Sequence, residues 1–162
     1  MDWHIPLIIA TVLFVAFMVV RVWPARRREG GGQARSDLAL ARKKLEGATT
    51  DEERVAALCE AGDAAARLVG GSGRAVQYYL RAMKLAPGSV ELIERAAKSL
   101  ARRPRGLETL LWRRLGTDAW SPSEMPSVVA ALDQLAKLYA GPLRSSVRSR
   151  ALEHLAKALR AG

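Results

Sequence analysis

The feature that most constrains this chain is an apolar run near its start. From Ile5 to Val20 sixteen residues pass without a charge, interrupted only by Pro6 and Thr11, and Arg21, Val22 and Trp23 follow. As a helix, Ile5 to Val22 would be about 27 Å long at ~1.5 Å per residue, close to the thickness of a bilayer's hydrocarbon core. Trp3 and Trp23 would then lie at the two interfaces, where amphipathic rings are favoured, and Arg21 can reach the headgroups along its stem. The run therefore predicts a transmembrane helix over residues 5–23, with residues 1–4 outside. A cleaved secretory signal would have a basic leader and a small-x-small cleavage site, and Met1, Asp2, Trp3 and His4 supply no such leader.

The flanks predict the orientation. No Lys or Arg precedes the run, whereas Arg21, Arg26, Arg27, Arg28 and Arg35 follow it. By the positive-inside rule the N-terminus is out and the remainder lies in the cytoplasm, here of a bacterial-type inner membrane. Residues 24–36 combine Pro24, a basic cluster and a Gly triplet, which predicts a flexible tether. Trp3, Arg21, Trp23, Arg26, Arg27 and Arg28 are the expected membrane-interface residues.

Residues 37–162 read as an all-α domain, with Ala and Leu together contributing 50 residues of the chain and no alternating strand segment. A short helix is expected from Asp37 to Glu46. The next opens on Thr50-x-x-Glu53, a capping box, and carries Val55, Leu58, Cys59, Gly62, Ala65, Ala66 and Val69 on its apolar face. Arg74 to Ala86 places Ala75, Val76, Tyr79, Ala82, Met83 and Ala86 inward, and Pro87 and Gly88 end it. Ser89 to Arg102 follows, with Val90, Ile93, Ala97 and Leu100 inward and with Glu91 spaced to pair with Arg95, and Glu94 with Lys98, at i,i+4. Arg105 to Leu115 uses Leu107, Leu110, Leu111 and Leu115, and Pro126 to Ala140 uses Val128, Val129, Leu132, Leu135 and Tyr139. The last helix, Leu143 to Arg160, is expected to turn Val147, Ala151, Leu155, Ala158 and Leu159 inward. Trp112 and Trp120 are expected between helices. Short turns between helices of this length make consecutive pairs hairpins.

One unit carries a more specific pattern, Ala75-x3-Tyr79-x2-Ala82-x4-Pro87, echoed without the aromatic by Ala151-x3-Leu155-x2-Ala158. This resembles the second helix of a tetratricopeptide repeat, and Gly62 falls where the repeat's first helix carries a small residue. The resemblance implies a stack of about three helical hairpins, an α-solenoid, with a concave peptide-binding face. It implies packing roles for Ala75, Tyr79, Ala82 and Pro87. The family's shared residues are packing residues, so it carries over no binding residue.

Catalytic chemistry is sparse. His4 and His154 are the two histidines, too few and too far apart in sequence to suggest a metal site, and Cys59 sits on an apolar helix face as a small core residue. Gly70 to Gly73 lacks both the preceding strand and the Lys-Ser/Thr ending of a phosphate loop. No enzyme activity, cofactor or metal is expected. Formal net charge is +10, and Arg102, Arg103, Arg105, Arg113 and Arg114 concentrate the excess in one hairpin as a candidate basic patch. The leading expectation is a membrane-anchored adaptor or scaffold that holds a partner protein at the cytoplasmic face, as an accessory subunit of an envelope complex. The alternative is a basic helical domain that binds anionic lipid or nucleic acid at the membrane surface, nucleic acid being disfavoured because no recognised motif accompanies the patch. Phosphate binding should weaken steeply with salt and an apolar groove should not, so salt is expected to separate the two.

Overall fold

The computed structural model describes Thr11, Val12, Phe14 and residues 31–116 and 120–161. The chain divides into two compact units, Met1–Gln33 and Ala34–Gly162. In the first, Thr11, Val12 and Phe14 are helical and exposed. The rest of the apolar run, with Trp3, Arg21, Trp23 and Arg26 to Arg28, lies outside the described residues. Among the described residues no helix is long and apolar enough to cross a membrane.

The second unit is all-α. Residues 31–47 form α1, followed by α2 (Asp51–Arg67), α3 (Ser72–Leu85), α4 (Val90–Ser99), α5 (Pro104–Leu115), a 3-10 turn (Pro122–Glu124), α6 (Met125–Ala140) and α7 (Ser146–Ala161). The start of α1 corrects the expected tether, because residues 31–36 are helical rather than coil. Ala34, Leu38 and Ala41 are buried along one stripe of α1, and such packing outweighs the poor helix propensity of the glycines before them. Helix α1 runs antiparallel to α2, since Asp37 pairs with Arg67 at 2.7 Å and Lys44 with Glu60 at 2.8 Å.

The capping box of α2 forms as its spacing predicts. The Glu53 N–H donates to Thr50 Oγ1 at 3.2 Å, and the Glu53 carboxylate accepts from the N–H groups of Thr49 at 2.8 Å and Thr50 at 3.3 Å. Those donors, Thr49 first, hold the Glu53 carboxyl below the ordinary carboxylate range. The helix stops at Leu68, because Gly70 adopts φ 71° to turn the chain. Val69, expected on the apolar face, is therefore 92% exposed beyond the helix end.

The α2–α3 hairpin is built around Tyr79. Ala75, Val76, Tyr79, Ala82 and Met83 are buried as the spacing predicts, whereas Ala86, expected with them, is half-buried at the helix end. Gly62 faces the tyrosine ring so closely that a Cβ there would stand 2.8 Å from Cε2. The small residue is required by the ring.

Beyond this hairpin, α2, α4 and α6 lie side by side, while α3 packs on α5, and α5 in turn on α6. The α6–α7 pair is a second close hairpin, but α4 and α5 make little contact with each other. Only ten residues long, α4 gives its neighbour a short face, and α5 turns its leucines toward α3 and α6. Ile93, Leu100, Leu110, Leu111, Val128, Leu132 and Leu135 fill the shared core.

The structure corrects two face assignments. In α7 the buried residues are Ser149, Leu152 and Ala156, whereas Val147 is 72% and Leu155 46% exposed. Helix α7 carries two apolar stripes, and the one that packs on α6 is offset from the one expected. The likeness of Ala151, Leu155 and Ala158 to a repeat's packing positions fails with it. Arg114, expected on the basic surface, is 6% exposed. It follows Leu110 by four residues and Leu111 by three, so it falls on the apolar face of α5. There its Nη2 donates to the Pro87 carbonyl at 2.9 Å, to Glu124 Oε2 at 2.6 Å and to Ser127 Oγ at 3.3 Å. The side chain clips the end of α5 to the α3–α4 turn and to the start of α6. Arg114, followed by the surrounding serine donors, holds the Glu124 carboxyl below its ordinary range.

Candidate functional site

The side-by-side packing of α2 and α4 leaves two clefts, one on each side of an ion pair. Asp63 on α2 accepts at Oδ2 from Arg95 Nε and Nη2 of α4 at 2.9 and 2.7 Å. Its Oδ1 accepts from the hydroxyls of Tyr79 and Ser99, whose oxygens lie 3.0 Å apart. One carboxylate thus joins α2, α3 and α4. Arg95, expected to pair with Glu91 one turn back, reaches across to Asp63 instead, because a partner at the helix interface is less screened than one on the solvated face. Desolvation works against the Arg95 charge, but the Asp63 carboxylate outweighs it and holds the guanidinium above its ordinary pKa. Burial, followed by the bond to Asp63, pushes the Tyr79 phenol well above its ordinary value near 10.

The cleft at the C-terminal ends of α2 and α4 has a volume of about 690 Å³ and is lined by Asp63, Ala66, Arg67, Lys98, Ser99, Ala101, Arg102 and Arg103. Four cations face one carboxylate there. Asp63 is already taken by Arg95, Tyr79 and Ser99. Arg67 is bound to Asp37, and Arg103 donates to the Leu68 carbonyl at 2.5 Å, closing the C-terminus of α2. That leaves Lys98 and Arg102, both exposed, as the cations of the cleft with neither an ion pair nor a side-chain hydrogen bond among the described residues.

The cleft at the N-terminal ends, about 320 Å³, has an apolar floor of Val55, Ala56, Cys59, Leu85, Ala86 and Leu92, with Asp51, Glu52 and Glu91 at its rim. Cys59 is buried, and desolvation pushes its thiol above the ordinary range, which leaves it a poor nucleophile. Acidic groups therefore stand at the helix starts and basic groups at the helix ends, the arrangement that offsets each helix dipole. The two clefts together form a surface with an apolar half, a basic half and charges of opposite sign at its ends.

Arg102 and Arg103 line the basic cleft, Arg105 and Arg113 are exposed on α5, and Arg114 is buried. Trp112 is half-exposed rather than packed between helices, with its indole N–H donating to Tyr139 Oη at 3.2 Å; that hydroxyl donates in turn to Glu108 Oε1 at 2.5 Å. Trp120 is half-buried against the core. Sequence reasoning pairs Lys98 with Glu94 and sets Asp63 on the polar face of α2, so it assigns neither to a site; in the structure Asp63 lies one turn beyond Cys59 at the edge of the apolar face, and Lys98 faces the cleft. Among the described residues no group of three His, Cys, Asp or Glu side chains is placed to hold a metal ion. Comparison with protein-family models, with curated proteins and with solved structures finds no match to this chain.

Proposed function

We propose that this chain is a membrane-anchored adaptor whose helical unit holds an acidic, partly apolar segment of a partner protein along the α2–α4 surface. The observation that carries this reading is the pair of exposed, unbridged cations, Lys98 and Arg102, in a 690 Å³ cleft adjoining a second cleft with an apolar floor. Carboxylates of the segment would meet Lys98 and Arg102 while its apolar side chains cover Leu85 and Val55, and the acidic rim at the other end would fix its direction. The close α2–α3 hairpin and the side-by-side packing of α2, α4 and α6 support the tetratricopeptide-like reading of the Ala75, Tyr79, Ala82 and Pro87 pattern, in which the first helices of successive units form a binding face. The Ile5 to Val20 run and the arginines after it support the anchor, with the helical unit at the cytoplasmic face of a bacterial-type inner membrane as an accessory subunit of an envelope complex. The reading is one of binding, not catalysis.

The test is site-specific photocrosslinking of the full chain in membranes. A crosslinker at Leu85 or Arg102 should capture a partner, and one at Val69 should not. Lys98→Glu with Arg102→Glu should reduce capture at Leu85 by about tenfold or more, the effect expected when at least 1.4 kcal/mol of binding is lost. Leu85→Asp should also abolish capture at Arg102. Capture at Leu85 unchanged by the charge reversals would overturn the assignment of the groove.

A further inference from the structure

Helix α7 carries an apolar stripe that its packing on α6 leaves exposed. Val147, Ala151, Leu155 and Ala158 recur at i, i+4, i+8 and i+11 on its outward face and are all exposed. The face that packs on α6 is a different one, centred on Ser149, Leu152 and Ala156. Arg150 and Lys157 are exposed beside the stripe, Arg148 on its other side lays its guanidinium over the Tyr139 ring of α6, 5.4 Å from the centroid, and the one acidic residue of the helix, Glu153, accepts a hydrogen bond from Ser149 Oγ at 3.0 Å. The outward face is thus apolar along its middle and cationic along the edge that carries Arg150 and Lys157. Ahead of it, Arg144 is held exposed at φ 49°, a backbone conformation that an arginine rarely adopts.

We propose that this face of α7 rests on an anionic lipid surface, lying in the plane of the headgroups. This inference extends the membrane-anchored reading above. A sixteen-residue helix with a narrow apolar stripe and flanking cations suits shallow insertion, in which apolar side chains enter the acyl boundary while Arg and Lys stems reach back to phosphates. A second copy is a poorer occupant, since two bulky apolar side chains and two alanines fall far short of the ~800 Å² per partner of a stable interface. Alone, such a helix binds lipid weakly. An anchor elsewhere in the same chain supplies the high local concentration at which weak contacts are occupied.

The test uses the full chain with Cys59→Ser and Leu155→Cys, labelled with an environment-sensitive fluorophore and reconstituted in vesicles of phosphatidylcholine with or without phosphatidylglycerol. In the anionic vesicles the emission should shift to the blue and be quenched by lipids brominated along the acyl chain. Both effects should fade at high salt and disappear with Arg150→Glu and Lys157→Glu. A label at Lys84→Cys on α3 should respond in neither. Val147→Cys provides a second reporter should Leu155→Cys lose its helical circular dichroism. A label equally wet in both kinds of vesicle overturns the proposal, as does a shift in detergent that grows with protein concentration, which identifies a second copy. Extraction by alkaline carbonate reports the anchor separately. A chain that is extracted loses the anchor reading, and burial of the Leu155 label when that chain is added to anionic vesicles still decides the question for α7.

Discussion

Tyr79 offers the sharpest test of the helical unit because its ring and its hydroxyl do separable work. The ring is fully buried against Gly62 and the hydroxyl donates to Asp63. Tyr79→Phe keeps the packing and removes a hydrogen bond to a carboxylate, worth about 1.5–3 kcal/mol when fully buried. The Asp63 side chain is 29% exposed, so water takes up part of the loss and a cost of about 1–2 kcal/mol is expected. Tyr79→Ala removes the ring as well and should cost about 3–5 kcal/mol. Gly62→Ala would place a methyl 2.8 Å from the ring and should cost about 1–3 kcal/mol by overpacking. That penalty should largely vanish in a Tyr79→Ala background, since the two positions share one space. The assay is urea unfolding of the full chain in mild detergent, followed by far-ultraviolet circular dichroism.

The same residue gives a pH dependence of known sign. The folded-state pKa of Tyr79 lies above its unfolded value near 10. The folded state therefore retains a proton that the unfolded state has released, and stability should fall as pH rises above that value, by up to about 1.4 kcal/mol per pH unit until the folded pKa is reached. Below it this contribution is fully present. Tyr79→Phe should lack that component of the alkaline loss. Two results would refute the reasoning: a Tyr79→Ala cost below about 1 kcal/mol, which would mean the ring is not core, or wild type and Tyr79→Phe losing stability in parallel at alkaline pH.

Thr50→Ala should cost about 1 kcal/mol by removing the N-cap of α2. The lowered Glu53 pKa means that its stabilising contribution, present above the ordinary carboxylate range, is lost as pH falls through its folded value; acid titration of wild type against Glu53→Gln checks the sign. Arg114→Ala should cost about 3 kcal/mol or more, because it leaves a carboxylate and a carbonyl without their buried cation; a change within about 0.5 kcal/mol in urea melts would show the clip to be idle. A cysteine at Gly31 should be shielded from an impermeant thiol reagent in intact cells and labelled after lysis, while buried Cys59 stays silent in both; labelling in intact cells would reverse the expected orientation.

The elements of the helical unit were legible where periodicity and caps agreed. Thr50 and Glu53 marked the start of α2, and the Ala75, Val76, Tyr79, Ala82 and Met83 face was readable because no rival apolar face exists on α3. Helix α7 shows the opposite case. Its Val147, Ala151, Leu155 stripe and its Leu152, Ala156, Leu159 stripe are both apolar, so spacing alone does not choose between them, and contact with α6 does. Arg114 was hidden by residue type. Its spacing from Leu110 and Leu111 places it inward, and only an acceptor set drawn from Pro87, Glu124 and Ser127, distant in sequence, makes that position tolerable for a guanidinium. The α1 start was misread for a related reason, since three glycines signal coil locally while Ala34 and Leu38 find their partners elsewhere in the unit.

The placement of Arg102 and Arg103 also changes what salt can decide. From the sequence, a basic patch and an apolar groove are separate surfaces, and salt sensitivity belongs to the first alone. In the structure Arg102 stands in the groove itself, next to Lys98 and across the Asp63–Arg95 pair from Leu85 and Leu92. Binding of an acidic segment would therefore weaken with ionic strength too, though by fewer counterions than a polyphosphate backbone would release. The apolar half is what distinguishes the two ligand classes. Vesicles or duplex DNA would engage the cations without needing Leu85, whereas a peptide segment long enough to span both clefts would need Leu85 as well as Lys98 and Arg102. Sensitivity to Leu85→Asp, not to salt, is the property that assigns this surface to a protein partner.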